Sequence, residues 1–200
     1  MDIRLQITLK NKNGEVLKQD NLPFKSFLPV WSWALYATSN GFSDPPDVVN
    51  TEGNVITLDN SGNWFSMRFS VAHNDFNPLD NWGIVFGRDA TPVTVNDFAL
   101  GDKIPHGDNE GELMYQPIEY SMSEDYEVRK SARFSISRSV VNESNNIIRI
   151  REIGLYLMLS SNNGHLHMIV CIGRDTLGAM GWPVSPQDEF SITYIINMPV

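Results

Sequence analysis

Glu152 is the residue whose surroundings make the greatest demand on it. It stands inside Ile150-Arg151-Glu152-Ile153-Gly154-Leu155. A carboxylate in an apolar run is costly to bury unless it is paired or accepts backbone N–H bonds. The pattern predicts a structural buried carboxylate that ties a loop to a sheet. The competing reading is a general acid. A glycosidase needs a second carboxylate, and the candidates are Glu110, Glu112, Glu124, Asp125 and Glu127. They fall in two polar stretches and read as solvated turns.

Other chemistry-bearing residues lack companions. His165-x-His167 puts two imidazoles on one strand face, roughly 7 Å apart, but zinc needs two further ligands. His73 and His106 stand alone in loops. Asp59-x-Ser61-x-Asn63 has the start of a calcium loop without the downstream bidentate glutamate. Gly173-Arg174-Asp175-Thr176-Leu177-Gly178 offers glycines, but no Lys-Ser/Thr pair follows, and there is no Gly-x-Ser-x-Gly. The single cysteine, Cys171, sits in Met168-Ile169-Val170-Cys171-Ile172 and reads as a buried small hydrophobe. Asn142-Glu143-Ser144 is a glycosylation sequon by letter alone. The expectation is no catalytic, metal or cofactor site.

The elements that would position these residues are mostly strands. Ile3, Leu5, Ile7 and Leu9 alternate with polar neighbours, Asn13-Gly14 marks a hairpin, and 15–18 is the expected return strand. Phe24, Phe27, Leu28, Trp31, Ala34, Leu35 and Thr38 follow helical spacing, which predicts an amphipathic helix over 26–39 with Ser26 as N-cap and Gly41 closing it. Trp33 lies off that stripe. Strands are expected at 55–58, 64–71, 82–87, 113–120, 132–140, 147–159, 165–172 and 189–198. Residues 89–108 read as a long connection with one helical turn at 97–100, 124–127 as an acidic bend, and 176–186 as a loop. Many short strands with one helix argue a mainly β fold: an antiparallel β-sandwich, jelly-roll-like, in one domain over 1–200, with an N-terminal hairpin-plus-helix element over about 1–41.

Composition excludes several classes. The 200 residues carry 15 basic and 24 acidic side chains, net −9, which disfavours general nucleic-acid and anionic-membrane binding. One cysteine excludes an internal disulfide framework. The longest nearly uncharged apolar stretch, about 27–37, is far short of the ~20 residues a membrane span needs. The first fifteen residues hold no apolar run of the secretory kind.

Two segments together carry a resemblance. One is Ile84-Val85-Phe86-Gly87-Arg88-Asp89-Ala90-Thr91-Pro92-Val93-Thr94-Val95-Asn96-Asp97-Phe98-Ala99-Leu100, continuing to Lys103-Ile104; the other is Arg151-Glu152-Ile153-Gly154-Leu155-Tyr156. This pattern, with Lys25-Ser26-Phe27-Leu28 before an early helix, resembles virion structural proteins of tailed bacteriophages. It spans residues 1–35 loosely and 82–200 better. The chain departs from it at Arg88-Asp89, where the pattern has a small residue. In physical terms Thr91-Pro92 opens an extended loop, Asp97 caps a turn, Leu100 and Ile104 pin the loop, and Gly154 allows close backbone approach.

The resemblance implies a non-enzymatic structural component of a phage particle, assembled in the host cytoplasm and acting by oligomerisation in the tail, neck or baseplate. Its partners would be copies of itself and other virion proteins. Phe27, Trp31, Trp33, Thr91, Pro92, Asp97 and Leu100 are the expected assembly contacts. Alternative readings are a capsid decoration protein, a hydrolase built on Glu152, and a carbohydrate- or receptor-binding sandwich. The last would bind a host surface glycan on exposed aromatics drawn from Trp64, Trp82, Tyr115, Tyr126 and Trp182.

Overall fold

The computed structural model describes residues 2–24, 26–32, 47–57, 66–68, 79–125, 131–160 and 167–199. Among them the strands in chain order are β1 (Asp2–Lys10), β2 (Val16–Pro23), β3 (Asp47–Val49), β4 (Val55–Thr57), β5 (Ser66–Arg68), β6 (Gly83–Gly87), β7 (Met114–Tyr115), β8 (Glu119–Asp125), β9 (Ser131–Val141), β10 (Ile148–Ile150), β11 (Glu152–Ser160), β12 (His167–Thr176), β13 (Trp182–Val184) and β14 (Glu189–Pro199). The chain is mainly β, and the pairs β1–β2, β1–β14, β14–β9, β9–β7, β9–β8, β11–β12, β11–β5, β11–β6 and β3–β4 are antiparallel. It forms two compact units interleaved in sequence. One is Met1–Lys25, Ile104–Arg149 and Trp182–Val200; the other is Ser26–Lys103 and Ile150–Gly181.

The first unit is built on a six-stranded sheet in the order β2-β1-β14-β9, with β7 and β8 both on the far side of β9. Alternation fixes its faces: Ile3, Leu5, Ile7 and Leu9 are buried with Ile192, Tyr194, Ile136 and Val140. The hairpin turn forms where Asn13-Gly14 predicts it, with Gly14 at φ 82° and the Asn11 carboxamide oxygen accepting from the Asn13 and Glu15 amides. The return strand runs on to Pro23, well past residue 18. Its outer edge is blunted three times. Leu17 is an extra residue in the register, the Asn21 N–H is turned onto the Asp20 carboxylate, and Pro23 has no N–H.

Several expected boundaries change in this unit. The strand expected over 113–120 splits into β7 and β8, because Pro117 lies between them and cannot donate to a ladder. Glu124 and Asp125 end β8 opposite Ala132 and Ser131 and form no bend; Tyr126 and Glu127 lie outside the described residues. The loop expected over 176–186 contains β13. There Trp182 and Val184 are buried, and the Trp182 ring meets Phe190 edge-on at 5.6 Å.

In the second unit β11 is central, with β12 on one side and β5 and β6 on the other. The apolar run 147–159 is two strands, broken at Arg151, so Glu152 opens β11 and is not mid-strand. β6 is buried throughout, the signature of a strand covered on both faces. Before the expected helix, Phe27 bridges Gly173 and the Leu28 N–H donates to Ile172, so residues 26–28 run along β12. Residues 29–32 are helical; 33–39, with Trp33, lie outside the described residues. Ser26 is not the N-cap. It precedes the first helical residue by three positions, and its hydroxyl donates to Asp175 at 2.9 Å. Leu28, Val85, Leu100, Tyr156 and Cys171 form one buried cluster, with Val30, Val93 and Ile169 packed against it.

Candidate functional site

The most heavily bonded polar cluster among the described residues centres on Glu152. Glu152 faces Thr176 across the β11–β12 ladder, and Gly154 faces Arg174. Arg174 is therefore the diagonal neighbour of Glu152 on the same face. The Arg174 Nε donates to Glu152 Oε2 at 2.8 Å, with side-chain exposures of 4% and 0%. The Asp102 and Asp89 amides donate to Oε1 at 2.9 and 3.2 Å, and the Gly101 amide donates to Oε2 at 3.1 Å. These four donors occupy the acceptor sites of the carboxylate.

Arg174 uses the rest of its fork on the same loop. Its Nη1 donates to Asp97 Oδ2 at 2.6 Å, and Nη2 to Asp89 Oδ2 at 3.1 Å and the Thr91 carbonyl at 3.3 Å. Asp89 in turn accepts from the Thr91 amide and hydroxyl, and Asp97 from the Thr94 amide and hydroxyl. The helical turn expected over 97–100 is not formed. The turn lies at 94–97, and Asp97 closes it from its C-terminal end. Leu100 is buried, and its amide donates to the Tyr156 hydroxyl at 2.8 Å.

Close approach demands two glycines. A Cβ on Gly87 would strike the Glu152 carboxylate, and one on Gly101 would strike Asp89. Gly154 also permits a close approach, to the Tyr156 ring and Leu100.

The electrostatics follow from these bonds. Asp89 is held below the usual carboxylate range, chiefly by the Thr91 hydroxyl and amide. Burial pushes Asp97 upward, but the Thr94 amide and hydroxyl and the Arg174 guanidinium outweigh it and hold it low. Burial works against the charge on Arg174, and Asp97 and Glu152 reverse that and raise it. Burial pushes the Cys171 thiol up to about 12. With both oxygens of Glu152 engaged and no solvent at its surface, the cluster clamps the 88–103 loop.

The clamp leaves one surface outward. Thr91 and Pro92 are exposed, and beyond them Val95 is 74% and Phe98 42% exposed. Leu100 and Asp97 face inward, toward the core and Arg174. Phe27 and Trp31 stack at 5.4 Å and are half-buried. Ile104 is fully buried in the first unit. Val95 and Phe98 were not singled out from sequence, nor was Arg174, whose glycine neighbour gave it the look of a loop residue.

The remaining candidates are placed as follows. Trp82, Tyr115 and Trp182 are buried and offer no stacking platform, while Trp64 lies outside the described residues. Glu112 accepts from the Asn109 amide and carboxamide, inside its own turn. His106 accepts at Nδ1 from the Tyr115 amide. His73, His165 and the 59–63 segment lie outside the described residues, among which no group of three metal-ligating side chains occurs. No family model, no curated protein and no solved structure matches the chain.

Proposed function

We propose that this chain is a non-enzymatic structural component of a tailed-bacteriophage particle, assembling with copies of itself and with other virion proteins in the tail, neck or baseplate. The observation that carries this reading is the Glu152–Arg174 clamp. Its buried charges are engaged with one another and with loop backbone, and they hold an exposed loop bearing Val95 and Phe98 in one conformation. A loop fixed before association loses little conformational entropy on binding, which suits an assembly contact. The virion setting rests on the sequence resemblance over 84–104 and 151–156.

Mass spectrometry of particles purified from a phage whose genome encodes the chain, with light scattering of the isolated protein, tests the reading. Expected are multiple copies per particle and a defined oligomer, alone or with a neighbouring virion protein. Phe98→Asp with Val95→Asp should fold normally and fail to incorporate. A monodisperse monomer absent from purified particles overturns the proposal.

A further inference from the structure

On the first unit, the sheet face opposite the buried side carries rows of small polar side chains set by the strand register. Ser139 faces Ser191, and Ser191 faces Thr8. Ser137 faces Thr193 on one side and Glu119 on the other, and Thr193 faces Gln6. Directly opposed residues share a face, so Ser137 and Ser139 of β9 and Ser191 and Thr193 of β14 lie on one face, flanked by Glu119 of β8 and by Gln6 and Thr8 of β1; the Ser191 hydroxyl donates to the Thr8 carbonyl at 3.5 Å. A groove of about 660 Å³ lies over them, walled at one end by Gln116 and Pro117 of the β7–β8 connection. That size falls in the range of small-ligand sites, roughly 300–1,000 Å³.

We infer that this groove is a binding site for a neutral, polyhydroxylated ligand, an oligosaccharide. The lining decides the chemistry. A serine or threonine hydroxyl both donates and accepts, which matches a ligand whose own groups do the same. The hydroxyls of Ser137, Ser139 and Thr193 make no hydrogen bond to other described residues and are partly exposed, so they remain available to a ligand. The ionic side chains of the lining balance: Lys10 is paired with Glu189 at 3.3 Å, and Arg138 and Glu119 add one charge of each sign, so the groove favours neither an anion nor a cation. An apolar ligand would leave the hydroxyls desolvated without partners. No aromatic side chain lines the groove, so its recognition is by hydrogen bonding.

This inference is independent of the assembly reading, whose failure is read on particles. The test here is on the isolated full chain. A panel of neutral gluco-, galacto- and manno-oligosaccharides is titrated into ¹⁵N-labelled protein, with inorganic phosphate as the anionic probe. Expected are saturable shifts at the amides of Ser137, Ser139, Ser191 and Thr193 with at least one sugar, and none with phosphate. The variant Ser139→Ala with Thr193→Val keeps the native unfolding midpoint and binds about tenfold more weakly, the effect of two lost neutral hydrogen bonds. Four results would each overturn the proposal: no saturable response across the panel, shifts that map elsewhere, an equal response to phosphate, or unchanged binding by the folded variant.

Discussion

Arg174 and Glu152 meet through one charge-assisted bond of 2.8 Å, diagonal neighbours on adjacent strands with solvent excluded from both. Breaking a buried ion pair by removing one partner costs about 3–5 kcal/mol; here Arg174 keeps Asp97 and Asp89, and the cost falls also on three loop amides. Glu152→Ala should lose about that much stability in urea unfolding, since Arg174 and the amides of Asp89, Gly101 and Asp102 all lose an acceptor. It should also open the 88–103 loop to limited proteolysis under native conditions. Unchanged stability and an equally resistant loop would show that the clamp holds nothing.

Acid should release the loop, but only well below neutrality. Asp89 and Asp97 both have folded pKa values below their ordinary ones. Such groups stabilise the fold fully above the unfolded carboxylate value of about 3.9, and the contribution disappears as pH falls through the folded values. The Thr91 and Thr94 amide resonances, which report the bonds to these carboxylates, should hold steady from neutral pH to about 4 and titrate only below it. A midpoint above that value for either resonance contradicts the assignment.

Period-2 alternation made β1, β9 and β14 legible, because one face of their sheet is buried and the other is polar. β6 was legible as a short apolar run. The two failures at 113–120 and 147–159 share a cause. In each, one residue (Pro117, Arg151) interrupts pairing while the hydrophobic pattern continues through it, so the pattern reports burial but not a change of strand. Trp182-Pro183 was hidden by the opposite effect, since a proline suggested a loop where a short strand forms. At the clamp, Glu152 stood out as a charge in an apolar run. Arg174 did not, although it sits two residues before the Glu152 partner Thr176, because glycine and polar neighbours masked its place in β12. Asp89 was readable only as a loop residue, and Asp97 as a turn cap and assembly contact, because their common partner is about eighty residues away in sequence.

Cys171 should be chemically silent in the native state. It is fully buried, and its thiol is pushed up to about 12. A disulfide reagent at mildly alkaline pH reacts with thiolate, so no thiol should titrate until denaturant is added. Rapid reaction of the native protein would place the side chain at the surface.

Gln187 is the non-glycine residue with positive φ, at 67°, among those described. It follows Pro186 in a turn closed by the Asp188 N–H on the Ser185 carbonyl, and its own amide donates to Asn142. A side chain there costs on the order of 1 kcal/mol or more, and glycine adopts the conformation freely. Gln187→Gly should raise the thermal midpoint by about 2–4 °C, the shift for about 1 kcal/mol in a chain of this size. A lowered midpoint would mean the side chain contributes more than its strain.

Asn142 is buried, and its carboxamide is fully engaged. Its Nδ2 donates to the Asn146 and Val184 carbonyls at 2.7 and 2.8 Å, and its Oδ1 accepts from the Ser144 amide and hydroxyl. Two consequences follow. The nitrogen that a glycan would need is unavailable in the folded chain, so expression in a glycosylating host should leave the folded protein unmodified at this position. Asn142→Ala should also leave the buried Val184 carbonyl and the buried Ser144 amide without this partner, each costing about 1–3 kcal/mol where water cannot enter, while the exposed Asn146 carbonyl keeps the Ser144 hydroxyl. Loss of at least about 2 kcal/mol in denaturant unfolding is therefore expected, whereas the neighbouring exposed Glu143→Ala should change stability by less than about 0.5 kcal/mol. Equal effects from the two substitutions would show that this turn is held by its backbone bonds alone.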